Sequence, residues 1–301
     1  MTATLQINAF GRLNLSYNGN KVVSFPTRVT EELLSYLLLN PYIEHSREKL
    51  GFLLWPQSDV DQSRPQLSTT LWRLRKTFSR AGVKDKDYIV SGRDWVAFSP
   101  KNPPQLDFKR FEDGVTYAQE ISNLAEREEA LKAAIDLYQG DLFEGNYANW
   151  CLVERERLSR QYLRALGQLM GCQMERDDFE AAIDTGNQIV RRDFLREEVH
   201  RALMYCYWVT NQRDRAVKQF HQCTHNLKKE LQIMPMPETI VLYQQIVVDR
   251  WKGTTERIEN VNILNQFWQA FNQFEEAGKR LNDLMNTLEL DKNEFVDVGS
   301  A

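Results

Sequence analysis

Gln62–Lys84 reads QSRPQLSTTLWRLRKTFSRAGVK and holds no Asp or Glu, in a chain of 301 residues where 42 acids outnumber 38 bases. Its apolar residues Leu67, Leu71, Leu74 and Phe78 step by four, three and four, the spacing of one buried stripe on an α-helix. With Leu67 at zero and about 100° per residue, the opposite arc carries Thr69, Trp72, Arg73, Lys76 and Arg80, with Gln66 at its edge. Arg64 and Arg75 fall at the rim of the buried face, where long side chains reach outward. A helix buried on one side and only positively charged on the others is built to meet something negative. The major groove of duplex DNA is a helix-sized slot lined by phosphates. Arg73 and Gln66 are the side-chain types that read guanine and adenine edges in pairs of hydrogen bonds, and the Thr69 methyl suits a thymine methyl. Trp72 is the odd member, expected to pack on sugar or an adjoining loop.

Two starts compete for this helix. Ser63 with Gln66 three residues on fits a capping box, with Pro65 in the tolerant first turn. Asp59 is the rival cap, and would leave Pro65 inside the helix as a kink. Upstream, Arg28–Leu39 (RVTEELLSYLLL) reads as a compact helix stopped by Asn40-Pro41. Ser46 caps a second helix over Arg47–Leu54, closed by Trp55-Pro56. Three short helices with the last one basic follow the helix-turn-helix pattern.

Strands bracket the helices. Leu5, Ile7, Leu13, Leu15 and Tyr17 alternate with polar residues; Asn18-Gly19 marks a hairpin, continued by Val22, Val23 and Phe25. Beyond the basic helix, Tyr88–Val90 and Trp95–Phe98 flank Ser91-Gly92-Arg93-Asp94. That second hairpin is read as a wing, with Arg93 at its tip placed to enter the minor groove or touch phosphate.

The length suggests two domains, each able to bury a core, with a seam at Lys101-Asn102-Pro103-Pro104. Residues 1–101 carry 14 bases and 9 acids and the remainder 24 and 33, a basic head on an acidic body. From about Leu124 the chain reads as helix after helix. Phe179-Glu180-Ala181 and Asp214-Arg215-Ala216 are similar openings spaced close to the 34-residue period of tetratricopeptide repeats, with alanine expected at the close-packing position. Ile258, Val261, Leu264, Trp268 and Phe271, then Leu281, Leu284 and Leu288, suggest an amphipathic tail that docks on its own chain or joins subunits.

The expected fold class is therefore mostly α with a small β component. A winged helix-turn-helix over 1–101 precedes a tetratricopeptide-like helical domain over 105–250 and a helical extension over 251–301. Catalytic residues are not expected, since no phosphate loop, dinucleotide fingerprint or nucleophile elbow occurs. Neither a metal nor a cofactor is expected. His221 and His225 share a helical face with Cys223 between them, but nothing nearby completes a ligand set. Cys151, Cys172, Cys206 and Cys223 are dispersed and read as reduced thiols. With no signal peptide and no spanning stretch, a cytoplasmic location is expected.

Several segments resemble the SARP family of bacterial transcriptional activators. Leu5–Phe25, FPTR (Phe25–Arg28), SREKLGFLLWP (Ser46–Pro56) and LWRLRKTF (Leu71–Phe78) are similar to its OmpR-type winged helix. LYQGDLFEGNYANWCLVERERL (Leu137–Leu158), REEVHRALM (Arg196–Met204) and PMPETIVLYQQI (Pro235–Ile246) resemble the bacterial transcriptional activator domain that follows. The resemblance implies an activator that binds repeats near a promoter and recruits RNA polymerase subunits, and leaves a homodimer on DNA open. It carries groove-facing and phosphate-facing roles onto Arg64, Gln66, Thr69, Thr70, Arg73, Arg75 and Arg93; Lys76 and Arg80 join the set from the helix geometry. Trp72 departs from the polar or basic residue usual at its position. The competing reading is a protein-interaction scaffold whose winged helix makes only protein contacts.

Overall fold

A computed structural model of the chain describes residues 5–18, 20–21, 25–248 and 263–270, with positions 273, 276, 277 and 280 of the tail. The molecule divides into two compact units, one of residues 1–113 and 136–158 and the other of 114–135 and 159–301.

The first unit opens with β1 (Leu5–Asn8) and β2 (Asn14–Tyr17), antiparallel with Ile7 opposite Leu15. Leu5, Ile7 and Leu15 turn inward while Gln6 and Asn8 face out, the period of two expected for a half-buried strand. Asn18 takes a left-handed φ of 51° at the turn into β3 (Asn20–Lys21). Val22 and Val23, expected to prolong that strand, lie outside the described residues. The sheet is completed by a strand at the far end of the unit: β7 (Gln105–Leu106) runs parallel to β1, giving the order β3-β2-β1-β7.

The carboxylate of Asp107, which directly follows β7 and begins α4 (Asp107–Glu120), accepts the backbone N–H groups of Ala9, Phe10 and Phe108 at 2.7–2.9 Å. Burial pushes its pKa up, against these backbone donors. Around it Phe10 packs on Phe111 and Tyr138, with ring centroids 5.6 and 4.4 Å away. Residues 136–158 close the cluster. Phe143 N–H donates to Ala9 O, Gly11 N–H to Asp141 O, and the Arg155 guanidinium ties together the carbonyls of Leu142, Phe143 and Asn146. One guanidinium thus satisfies three loop carbonyls that would otherwise lack partners.

Between the sheet strands lies the three-helix core. Helix α1 (Arg28–Leu39) starts at Thr27, whose hydroxyl accepts Thr30 N–H, and stops at Asn40 ahead of Pro41, as its sequence predicts. Ser46 caps α2 (Arg47–Leu54), and α3 spans Val60–Arg80. A second sheet orders β4 (His45–Ser46), β6 (Trp95–Phe98) and β5 (Ile89–Ser91) as β4-β6-β5. Leu33, Leu34, Leu37, Leu50, Leu67, Leu74 and Phe78 are fully buried among these elements. Three helices and a terminal hairpin form a winged helix.

The second unit is helical: α5 (Leu124–Ile135), the C-terminal part of α6 (Asn149–Glu175), α7 (Phe179–Arg192), α8 (Glu197–Val209), α9 (Arg213–Leu231) and α10 (Pro237–Val248). The expected period shows in its turns. Asp177 and Asn211, 34 residues apart, both take φ near 60°. Each is followed by a residue whose N–H closes onto the preceding helix, Asp178 on Gln173 O and Gln212 on Tyr207 O, again 34 apart. Ala182 and Ala216, also 34 apart, are fully buried. Gly186 of α7 is a further small residue, where an added Cβ would sit within 3 Å of the Met170 and Leu203 side chains.

Of the tail, residues 263–270 are helical. Phe267, which the tail stripe omitted, is buried, and the Trp268 indole N–H donates to Glu175 at 2.9 Å. The ring lies where a Cβ on Gly171 would be, so this stretch docks on α6. Ile258, Val261, Phe271, Leu281, Leu284 and Leu288 lie outside the described residues. Among the described residues no helix is long and apolar enough to cross a membrane.

Candidate nucleic-acid interface

Helix α3 decides between its two rival starts in favour of Asp59, whose carboxylate accepts Gln62 N–H at 2.9 Å. The carboxylate holds the first turn where the helix dipole favours negative charge. Pro65 then lies well inside the helix, where it has no N–H to offer the carbonyl of Asp61. The Ser63 hydroxyl, rather than capping, donates to Val60 O. Ser68, Thr69 and Thr77 likewise bond back to the carbonyls of Arg64, Pro65 and Arg73. This back-bonding satisfies each hydroxyl inside the helix.

Burial divides the helix along the expected stripe. Leu67, Leu71, Leu74 and Phe78 are at most 3% exposed, and Gln66, Thr69, Trp72, Lys76 and Arg80 lie on the solvent face, with Arg73 half-buried beside them. Thr70 corrects the expectation drawn from the resemblance. It is 3% exposed and turned into the core, because its position follows the buried stripe at about 60° from Leu67. It is not available to an external ligand in this arrangement.

The arginines differ from one another. Arg64 donates to Glu48 of α2 at 2.8 Å, both side chains more than half exposed. Arg75 reaches the wing: its guanidinium donates to Ser91 Oγ at 2.8 Å and lies 3.6 Å from Asp85. Arg73, Arg80 and Arg93 have no ion-pair partner among the described residues. Lys76 places its ammonium 4.7 Å from the centre of the Trp72 ring, one helical turn apart. Trp72 itself is 59% exposed, so no adjoining loop covers it.

The wing holds Arg93 out by close packing. Ile89 pairs with Phe98 and Ser91 with Val96, leaving Gly92-Arg93-Asp94 in the connection. A Cβ on Gly92 would fall 2.4 Å from the Trp95 indole nitrogen, so only glycine lets the loop fold over that ring. Asp94 O in turn accepts Arg47 N–H, fixing the tip against the start of α2. Arg47, absent from the expected set, donates to Ser68 Oγ at 3.4 Å and so sits beside the α3 face. A base at the first position of a capped helix next to the basic one was the signal for it.

Among the described residues no group of three His, Cys, Asp or Glu is arranged to hold a metal. His221 and His225 are exposed, whereas Cys223 between them is buried. All four cysteines are buried free thiols, and burial pushes Cys151 up to about 11 and Cys223 to about 12.

Residues 106–247 match the family model of the bacterial transcriptional activator domain. The transcriptional regulatory protein MoaR1 of Mycobacterium tuberculosis is 24% identical over 249 residues, which cover 81% of this chain and 79% of that protein. The regulatory protein AfsR of Streptomyces coelicolor is 23% identical over 218 residues, 71% of this chain but 21% of the larger protein. The solved structure of Mycobacterium tuberculosis EmbR in complex with a low-affinity phosphopeptide shares the fold, with a TM-score of 0.70 at 16% identity over 91% of this chain and 71% of that one. Residues 106–247 thus form a bacterial transcriptional activator domain, and the chain as a whole is similar to SARP-type transcriptional regulators in sequence and fold.

Proposed function

We propose that this regulator binds duplex DNA through the solvent face of α3 and the tip of the wing, and activates transcription by bringing RNA polymerase to the promoter. The observation that carries the reading is the state of the α3 cations. Arg73 and Arg80 stand on or beside the solvent face of a helix whose other face is fully buried, with no carboxylate paired to them. Unpaired cations spaced along one helix match the regular phosphates of a duplex, which favours this reading over a scaffold that makes only protein contacts.

In this reading α3 enters the major groove. Arg73 takes a guanine edge and Gln66 an adenine edge, while Lys76 and Arg80 contact phosphates. Thr69, its hydroxyl already bonded to Pro65 O, is left with its methyl for base contact. Arg93 meets the minor groove or its flanking phosphates. Arg75 acts through the wing, which it anchors to α3, and Arg64 reaches phosphate by leaving Glu48. The division of labour follows the sequence boundaries, residues 1–101 on DNA, 105–250 toward polymerase and 251–301 in support. A cytoplasmic setting and a homodimer on repeated sites belong to the same reading.

The test is titration of the full chain onto duplexes selected from a random pool, over a range of salt. With four or five phosphates neutralised, the slope of log K against log salt should be roughly −4, at about −0.9 per phosphate. Failure of the selection to enrich any duplex, or affinity indifferent to salt, overturns the reading.

A further inference from the structure

Among the described tryptophans, Trp55, Trp95, Trp150, Trp208 and Trp268 are all partly covered, and Trp72 alone is exposed. It sits in the middle of the solvent face of α3, one turn from Thr69 on one side and from Lys76 on the other. An isolated exposed apolar residue is ordinary on a protein surface. An indole centred on a basic face is different, because a surface evolved only for phosphate gains nothing from it. The major groove has one strongly apolar feature, the C5-methyl group of thymine, which projects toward an inserted helix.

We infer that Trp72 is a specificity-determining residue that reads thymine by packing its indole against the C5-methyl group. The inference rests on the DNA-binding reading above and adds to it an apolar component of recognition. Three features of the helix support it. The ring stands more than half exposed, so a methyl group that meets it removes apolar surface of both partners from water. The Lys76 ammonium lies 4.7 Å from the ring centre, which holds the indole along the helix and presents a positive charge beside it. The hydroxyl of Thr69 is bonded to Pro65 O, leaving apolar surface as its free part. Thr69 and Trp72 thereby form a short apolar ridge, flanked by the polar readers Gln66 and Arg73. Such a ridge selects a thymine step between hydrogen-bonded bases.

The experiment uses the full chain and the duplexes it enriches from a random pool. Each thymine of an enriched duplex is replaced singly by deoxyuridine, which removes the methyl and nothing else. The wild-type chain should lose about fourfold in affinity at one or two adjacent thymines, the value of one buried methyl. Trp72→Ser, checked for unchanged melting, should bind the thymine duplex more weakly and be indifferent to the substitution there. A variant that keeps the full penalty would assign the methyl contact to Thr69 and overturn the role of Trp72. Enrichment of duplexes in which no thymine methyl matters would overturn it as well, while leaving DNA binding intact. Failure to enrich any duplex would instead remove the reading on which the inference rests.

Discussion

Helix α3 and the N-terminal half of α8 are both rich in charged and polar side chains, and their surroundings put them to opposite uses. At α8 the Arg196 guanidinium is 3% exposed and lies 3.2 Å from Asp193. Arg201 is buried 3.8 Å from Glu238, and the Glu197 carboxylate accepts the N–H of Met236. His200, fully buried, places Nε2 3.0 Å from Phe194 O and Nδ1 2.6 Å from the Gln219 amide. The carbonyl accepts only a proton-bearing nitrogen, so His200 is the neutral Nε2–H form and Gln219 donates to Nδ1. On α3, by contrast, Arg73 and Arg80 meet no carboxylate among the described residues, and Lys76 and Arg80 face solvent. A charge engaged inside the fold is held there by the cost of removing its partner; one left outside without a partner contributes little to stability and is free to bind. Residue type alone does not separate the two cases.

The largest effect that would sharpen this contrast is expected at α8. His200→Ala removes a buried ring, leaves the Phe194 carbonyl with Asn226 as its remaining donor and orphans the Gln219 amide, at a cost of about 3–5 kcal/mol. Denaturant unfolding should show the loss, and duplex affinity of the folded fraction should not change. The same ring sets a pH dependence. Burial lowers its pKa below the usual histidine value, against hydrogen bonding to Phe194 O and the nearby carboxylates. The unfolded chain therefore takes up the proton first, so stability falls as pH drops below about 6.5, by at most about 1.4 kcal/mol per pH unit. A His200→Gln variant should lack this component. Equal pH profiles for the two proteins would show that the ring is not held neutral.

Arg73→Ala should do the reverse. Melting should stay within about 0.5 kcal/mol of the parent, while affinity for the enriched duplex falls by roughly 1–3 kcal/mol and preference relaxes at one base pair. If unfolding moves more than binding, Arg73 belongs with the α8 arginines. Arg75 is the intermediate case, bonded to Ser91 and close to Asp85. Arg75→Ala should cost about 1 kcal/mol of stability and weaken all duplexes evenly, because a loosened wing carries no base preference. A change of preference at a single base pair would instead make it a direct reader.

What could be read from the sequence follows the same divide. The stripe Leu67–Leu71–Leu74–Phe78, the stops at Pro41 and Pro56, and the wing hairpin were legible, because local periodicity and turn chemistry dictate them. Thr70 was misplaced by the resemblance, although its angle on the helix already put it toward the stripe. The choice of Asp59 over Ser63 was not decidable, since either cap satisfies the first turn. The partners of Arg64 and Arg75 come from α2 and the wing, and the alliance of Asp107 with Ala9 and Phe10 spans nearly a hundred residues. No local pattern encodes such pairings. Gly186 was missed because small residues at a helix crossing are selected by the opposing side chains, here Met170 and Leu203.

Arg64 offers the smallest effect and the finest test of the divide, for it has a partner and yet is exposed. An ion pair in water contributes little, because solvent screens it and two long side chains must be ordered to form it. Phosphates along a duplex present a denser negative field, so Arg64 should leave Glu48 on binding. Arg64→Ala should then leave melting unchanged and reduce the salt slope by about 0.9, the share of one phosphate. Glu48→Ala should move affinity the other way, by about twofold, since it removes both the competitor and a negative charge near the backbone. The two partners of one pair would then have opposite signs in binding and no weight in folding. Loss of thermal stability in either variant, or a slope unaltered by Arg64→Ala, would place this pair with the engaged charges of α8 rather than with the available ones of α3.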